Sequence, residues 1–420
     1  MVSLAKQMVE VGALAAAQPG SASLAFPMPR QRGCPFDPPP ALREIQDERQ
    51  PVRVTIWDGS RPWLITGYEL QRTLLVDPRL SSDPRQPGFP FQSSGMKVRR
   101  ARTSTFIQMD NPRHNYYRRM LAGQFTVKKM LALRPAIERI VADHLDAMLA
   151  AGGPADLVQA FALPVPSLVI CDLLGVPYAE HDLFQRASAT LLRQETTPGE
   201  IIDATNELRR LALAMIERKQ AEPADDIIGH LVAQHLSAGE LTRDEVADMA
   251  LLLLLAGHET TANQIALGTL ALLCHPEQLA LFRTMTGPDQ VADAVEELLR
   301  YLSIGHVGRR RVALADIELG DTVIRPGDGV IFPDAAGNWD ERAFARPEAL
   351  DLTRRAYNHI TFGYGTHQCL GQPLARVELQ VAYQAIFNRI PSLRLAAGVE
   401  ELRFRDDMNV YGVYELPVTW

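Results

Sequence analysis

A mainly α-helical fold with smaller β-sheets, gathered in one domain over residues 41–420, is what this sequence predicts, and three observations carry it. From Asn111 onward helical periodicity runs for about two hundred residues. Short alternating stretches bounded by turns, Val52 to Trp57 and Trp63 to Thr66 first among them, suffice only for small sheets. Near the C-terminal end, a glycine-punctuated loop holding a cysteine, Phe362 to Gly371, runs directly into a helical stretch from Pro373 to Phe387.

Residues 1–40 read as an N-terminal extension and proline-rich lead-in that closes on Pro38-Pro39-Pro40. The apolar run Val11 to Ala17 is interrupted upstream by Glu10, and only Lys6 marks a basic region, so an unstructured extension is expected rather than a signal peptide. Asp58-Gly59 turns the first strand back on the second. Between Asp77 and Met109 periodicity is lost and Pro84, Pro87, Gly88, Pro90 and Gly95 accumulate, which predicts an irregular functional loop.

Asn111-Pro112 opens the helical region as a cap followed by a first-turn proline. Helices are expected from Pro135 to Ala151, stopped by Gly152-Gly153, and from Phe161 to Leu174, stopped by Gly175. Two more, Tyr178 to Gln194 and Gly199 to Arg218, flank Thr196-Thr197-Pro198. The longest should run from a capping box, Thr242-x-x-Glu245, to His275-Pro276. Arg311 begins a strand-like stretch, Val312-Ala-Leu, and Glu318 to Ile324 reads as a hairpin.

A net charge of −7 and a pI near 5.9 exclude a nucleic-acid binder. Within that acidic chain, Lys97 to Lys129 holds nine basic residues against Asp110 alone, an island suited to an acidic partner. Cys34, Cys171, Cys274 and Cys369 form no close pair, which argues against disulfides or zinc and for a reducing cytoplasm. No run reaches the roughly 18 apolar residues of a membrane span, and a monomer away from membranes is expected.

The chemistry centres on Cys369. A helix start directly after it aims N–H groups at the sulfur and favours thiolate, which is either a nucleophile or a metal ligand. His367 could serve a nucleophile as base. Gly363 and Gly365, which let the backbone approach closely, Gly371 at the helix start and the aromatic Phe362 suit a flat, bulky ligand better. Haem iron with a cysteine ligand fits all of these features.

The pattern Phe-Gly-x-Gly-x-His-x-Cys-x-Gly at 362–371 resembles the haem-binding signature of the cytochrome P-450 monooxygenases, soluble bacterial type. The resemblance implies a single triangular-prism-like domain holding heme b (iron protoporphyrin IX) between the long central helix and the helix after the cysteine. Cys369 would ligate iron, and Phe362, Gly363, His367 and Gly371 would bind the cofactor. His114 and Arg118, four apart and so on one helix face, match propionate-binding positions, as does Arg311, although Arg309 and Arg310 leave its register open. Ala256-Gly257-His258-Glu259-Thr260-Thr261 matches the oxygen-activation motif, with Ala256 and Gly257 at the cofactor and Glu259 and Thr260 relaying protons. In that reading Gly257 makes room for a diatomic ligand, and Thr260 bonds back to a carbonyl and loosens the helix. Glu297 and Arg300 match a supporting Glu-x-x-Arg element. Its usual third partner aligns with Ala349, leaving Arg354, Arg355 or His359 as substitutes.

The implied reaction inserts one oxygen atom from O2 into a hydrophobic small molecule such as a macrolide, terpenoid or steroid. Ile304, Val307 and Val410 are candidate pocket residues. No dinucleotide fingerprint is visible, so a ferredoxin and an NAD(P)H-dependent ferredoxin reductase are the implied electron donors. A haem-thiolate nitric oxide reductase or peroxygenase, and a non-enzymatic haem sensor, are the alternatives.

Overall fold

A computed structural model describes residues 24–420 apart from 32, 49, 103–104 and 178–179. The extension expected over the first twenty residues lies outside that range. Residues 24–38 pack onto the body: Phe26, Met28 and Phe36 are buried, and Arg30 donates to the Ser303 carbonyl at 3.2 Å.

The body is built around the helix Arg243–Cys274, of 32 residues or about 48 Å at 1.5 Å per residue. Its start is the expected capping box, in which the Thr242 hydroxyl and the Glu245 carboxylate satisfy each other's backbone N–H groups. From Thr261 to Leu272 every side chain is buried, because helices enclose this part of it. Pro164–Leu174, Pro198–Ala221 and Gln372–Arg389 all lie against it. Gly268 permits the last of these contacts: a Cβ there would run into Tyr383, whose hydroxyl donates to the Gln264 carbonyl at 2.6 Å.

The predicted helices recur as Arg134–Ala151, Pro164–Leu174, His181–Leu192 and Pro198–Ala221. Gly175 ends the second of these in the left-handed conformation at φ 71°. Arg113–Ala122 begins one residue later than expected, with Pro112 in the cap position. The region read as an irregular loop contains a helix after all, Ser94–Arg102. Its residues carry no apolar periodicity, so its helicity comes from packing: Met96 is buried, and Gly95 lies so close to Thr196 and Ile201 that a Cβ would be 2.9 Å from the Thr196 carbonyl oxygen.

The largest sheet has five short strands in the order Val52–Arg53, Trp63–Leu64, Gly329–Phe332, Arg309–Ala313 and Leu80–Ser81. Trp63–Leu64 runs parallel to Gly329–Phe332, and the other pairs are antiparallel. Arg311 stands opposite Val330 in this register. Ile317–Leu319 and Thr322–Ile324 form the expected hairpin, turned by Gly320 at φ 61°. No single described helix is long and apolar enough to cross a membrane.

Candidate functional site

The cysteine loop is held by its own backbone. The Cys369 N–H donates to the Phe362 carbonyl at 2.8 Å and Gly363 N–H to Ile360 at 2.8 Å. Gly363 and Gly365 sit at φ 77° and 76°, a region that side chains disfavour, so glycine is required at both. Arg376 of the following helix covers the Phe362 ring at 4.7 Å, a cation–π contact that fixes the wall of the loop. Nothing of the protein comes within 4 Å of a Cβ built on Gly371.

Cys369 is exposed, with the Gly371 and Gln372 N–H groups and the Arg309 and Arg118 guanidinium groups around it. Burial pushes its thiol up and outweighs the Gly371 and Gln372 N–H groups and the charges of Arg309 and Arg118. The thiolate expected from the helix start is therefore disfavoured in the protein alone and needs a cation bonded to the sulfur.

Beside the loop, four groups from three elements converge: His114 and Arg118 from the helix Arg113–Ala122, Arg311 from its strand and His367 from the loop itself. His114 is fully buried, and its ring lies against that of His367, tilted by 40° with centroids 4.1 Å apart. His367 also bonds Ser82 at 3.0 Å, while desolvation and the charges of Arg311, His114 and Arg118 push it down to about 2. Arg118 and Arg311 are both depressed by burial, Arg311 to about 10. Asp110, the nearby acid, is occupied by Ser81 and Ser82. His114 Nε2 and His367 Nδ1 remain buried without partners. Such a cluster of cations and orphaned nitrogens is completed by carboxylates supplied from outside the chain, and the propionates of haem fit it. The strand register resolves the arginine triplet: Arg311 faces this cluster, whereas Arg310 turns away to the carbonyls of Pro90, Phe91 and Val307. Arg309 pairs with Asp334 and donates to Thr361 at 2.8 Å.

On the central helix, Thr260 Oγ1 donates to the Ala256 carbonyl at 2.6 Å, as the sequence suggested. The helix nevertheless stays α-helical through the motif, so the expected loosening is absent. Ala256 is exposed in the middle of an otherwise buried helix, which marks this turn as the rim of an interior cavity. Gly257 needs a different explanation from the one given above: its Cβ would lie 2.9 Å from Ile170, so glycine is there to admit the helix Pro164–Leu174. Ala256, not Gly257, borders the open side. Glu259 is not beside the Thr260 hydroxyl but buried in an ion pair with Arg405 at 2.9 Å, joined by Asn263 at 3.2 Å. Helical geometry sets adjacent residues about 100° apart, so the two point to different faces.

Behind the loop, Arg300 grips Glu297 through two bonds of 2.7 and 2.8 Å, both residues being fully buried. Arg300 also donates to the carbonyls of Asn338, Pro347 and Ala349. The third partner is Arg354, 3.1 Å from Glu297. Arg355 lies 4.0 Å from Asp293 instead, and His359 bonds Glu296 at 3.2 Å. Arg376 completes a second cluster by a two-bond clasp on Glu296 at 2.6 and 2.9 Å. This cluster ties the loop helix to the Glu297 helix, and nothing local in the sequence announced it.

A stability profile follows from these groups. Burial holds His359 and His306 below their ordinary 6.5, despite bonds to Glu296 and Met408. The unfolded chain therefore takes up protons at both sites below pH 6.5 while the native protein does not, so stability is lost as the pH drops below that value. Burial works to raise Glu296, but His359 and Arg376 hold it below 4.5, which adds a second loss under that pH. A urea midpoint lower at about pH 5 than at about pH 7.5 is expected; an equal or higher one at pH 5 would contradict the assignment.

A largely apolar cavity opens beside the central helix. Leu251, Leu252 and Leu255 form one wall and residues of the Ser94–Arg102 helix another. The pocket residues read from the sequence lie elsewhere. Ile304 and the 408–411 segment do meet, through Tyr411 N–H to the Ile304 carbonyl at 2.8 Å. Val307 is buried and Val410 half-buried, and neither borders this cavity.

A profile of the cytochrome P450 family matches residues 291–390. "Cytochrome P450 CYP105Q4" of Mycobacterium marinum is 49% identical over 94% of this chain and 96% of its own length. "Pentalenic acid synthase" of Streptomyces avermitilis is 48% identical over 95% and 98%. The crystal structure of GfsF superposes with a TM-score of 0.89 at 45% identity, covering 95% of this chain and all of that one. The mycinamicin VIII C21 methyl hydroxylase MycCI of Micromonospora griseorubida does so at 0.89 and 40%, covering 94% and 100%.

Proposed function

From the premise that this chain belongs to the cytochrome P450 family and is a haem-dependent monooxygenase, we propose that it oxidises a hydrophobic small molecule with electrons from a ferredoxin. The observation that carries this is the joint placement of Cys369 in its backbone-held loop and of four cationic or imidazole groups lacking an acidic partner beside it. Haem, when bound, supplies the redox centre at which dioxygen is reduced and one oxygen atom is inserted.

The residues divide that work. Cys369 Sγ would hold the metal, and the Gly371 and Gln372 N–H groups and Arg309 would stabilise its charge. His114, Arg118, Arg311 and His367 would bind the two haem carboxylates. Thr260 Oγ1 carries the last proton, and its bond to Ala256 fixes where that proton points. Glu259 refills Thr260 only by releasing Arg405, so its part is a gated one. The leucine-lined cavity binds substrate away from water.

Relatives named for 20-oxo-5-O-mycaminosyltylactone and vitamin D3, and one named pentalenic acid synthase, support a macrolide, steroid or terpenoid scaffold. An acidic ferredoxin and its NAD(P)H-dependent reductase, acting on a cytoplasmic monomer, complete the reading. Exposed Lys128 and Lys129 belong to the basic island that suits such a partner, although Arg118 of the same island is turned inward.

Reconstitution with haem, ferredoxin and reductase tests this. Thr260→Ala should lower product per NAD(P)H consumed by about 10² and release peroxide instead. Retained coupling would show that protons arrive elsewhere. NADH consumption with nitric oxide in the absence of ferredoxin would replace this reading with a reductase.

A further inference from the structure

The wall of the cavity formed by the Ser94–Arg102 helix carries two arginines, Arg99 and Arg100, facing leucines of the central helix. For an apolar small molecule alone that wall is a poor surface, since a guanidinium against hydrocarbon leaves its donors unsatisfied. Arg99 has contacts of its own, so the inference rests on Arg100. No hydrogen bond or ion pair from Arg100 to any described residue is present. Its charged neighbours are Arg99, Arg310 and Arg311, all of its own sign, and together with burial they push it down to about 9. Asp248, the carboxylate bordering the cavity, is bound by Arg209 at 2.6 Å. Arg100, half-buried on this wall, thus stays charged at neutral pH with no anion among the described residues to compensate it.

We propose that the substrate is an amphipathic carboxylic acid whose carboxylate is bound by Arg100, with Arg99 beside it, while its apolar body lies along Leu251, Leu252 and Leu255. This rests on the monooxygenase reading and adds the chemical class of its substrate. The central helix supplies a scale. Leu251 to Leu255 precede Thr260 by nine to five residues, or roughly 8–13 Å along the axis. The carboxylate is therefore remote from the carbon that is oxidised and serves as the anchor that fixes which carbon is presented. Arg311, by contrast, belongs with His114, Arg118 and His367 around the cofactor's own carboxylates.

Equilibrium dialysis of the haem-loaded protein against dodecanoic acid and dodecan-1-ol, equal in chain length and different in charge, tests the proposal. The native protein should bind the acid at least about tenfold more tightly than the alcohol, the difference expected for one charge-assisted contact. Arg100→Gln should remove that preference while leaving alcohol binding within about twofold. Arg100→Lys, which keeps the charge, should retain part of it and guards against a Gln variant that fails to fold. Equal binding of acid and alcohol, an unchanged preference in Arg100→Gln, or no binding of either probe would overturn the proposal. Loss of haem from Arg100→Gln with the preference intact would also overturn it, by assigning the arginine to the cofactor's carboxylates. Dialysis reads binding alone: a protein that prefers the acid but forms no oxygen-dependent product fails as a monooxygenase and leaves the anion site standing.

Discussion

Cys369→Ser is expected to give a folded protein whose carbon-monoxide adduct has lost the thiolate signature and whose oxygen-dependent turnover falls below detection. The loop does not depend on the sulfur for its shape. Its bonds are backbone ones, from Cys369 to Phe362 and from Gly363 to Ile360, and its turns are made by glycines at positive φ. Serine keeps the N–H and removes the soft, polarisable donor that would push electron density to a metal held there. In the native protein alone burial opposes ionisation of this thiol, so the metal and the thiolate stabilise each other. The check is the absorption spectrum of the reduced protein under carbon monoxide, with circular dichroism to confirm the fold. An unchanged spectrum would transfer the metal to another ligand.

Arg300→Leu should be the most destabilising single change here, by about 3–5 kcal/mol, because it leaves the fully buried Glu297 with Arg354 as its sole charge partner and abandons three backbone carbonyls. Against a typical total stability of about 5–15 kcal/mol that loss is a third or more. Haem retention should fall with it, since Glu297 also accepts the Asp351 N–H and so anchors the segment that leads into the cysteine loop. Arg300→Lys should fall between, keeping the charge and losing the two-bond clasp. Urea unfolding of the three proteins decides it; a cost under about 1 kcal/mol would mean that the pair is dispensable.

The supporting pair was legible in the sequence because its two members lie three apart on one helix, and helical spacing makes them neighbours whatever the rest of the chain does. Its third member was not, because Arg354 reaches Glu297 only through the course of an irregular segment; Ala349, in the aligned position, contributes a carbonyl and no charge. Glu259 shows the same division. Its place on the helix was evident, but its partner Arg405 is 146 residues away. The helix Ser94–Arg102 was missed because nothing in its own residues favours it, and the basic island was misread in part because a count of charges does not say which way an arginine points.

By itself the sequence determined the glycine turns of the cysteine loop, the long capped helix with Thr260 bonded to Ala256, and the pairing of Glu297 with Arg300. Each is specified by residues within one or two turns of one another, where covalent spacing and backbone hydrogen bonding leave little choice. Only the tertiary structure decided that Gly257 admits Ile170, that Glu259 is tied to Arg405, that Arg311 rather than its neighbours faces the cluster, and that Arg100 lines a cavity of leucines. Those relations join segments far apart in the chain, and they follow from how whole helices and strands pack, which no short stretch of residues encodes.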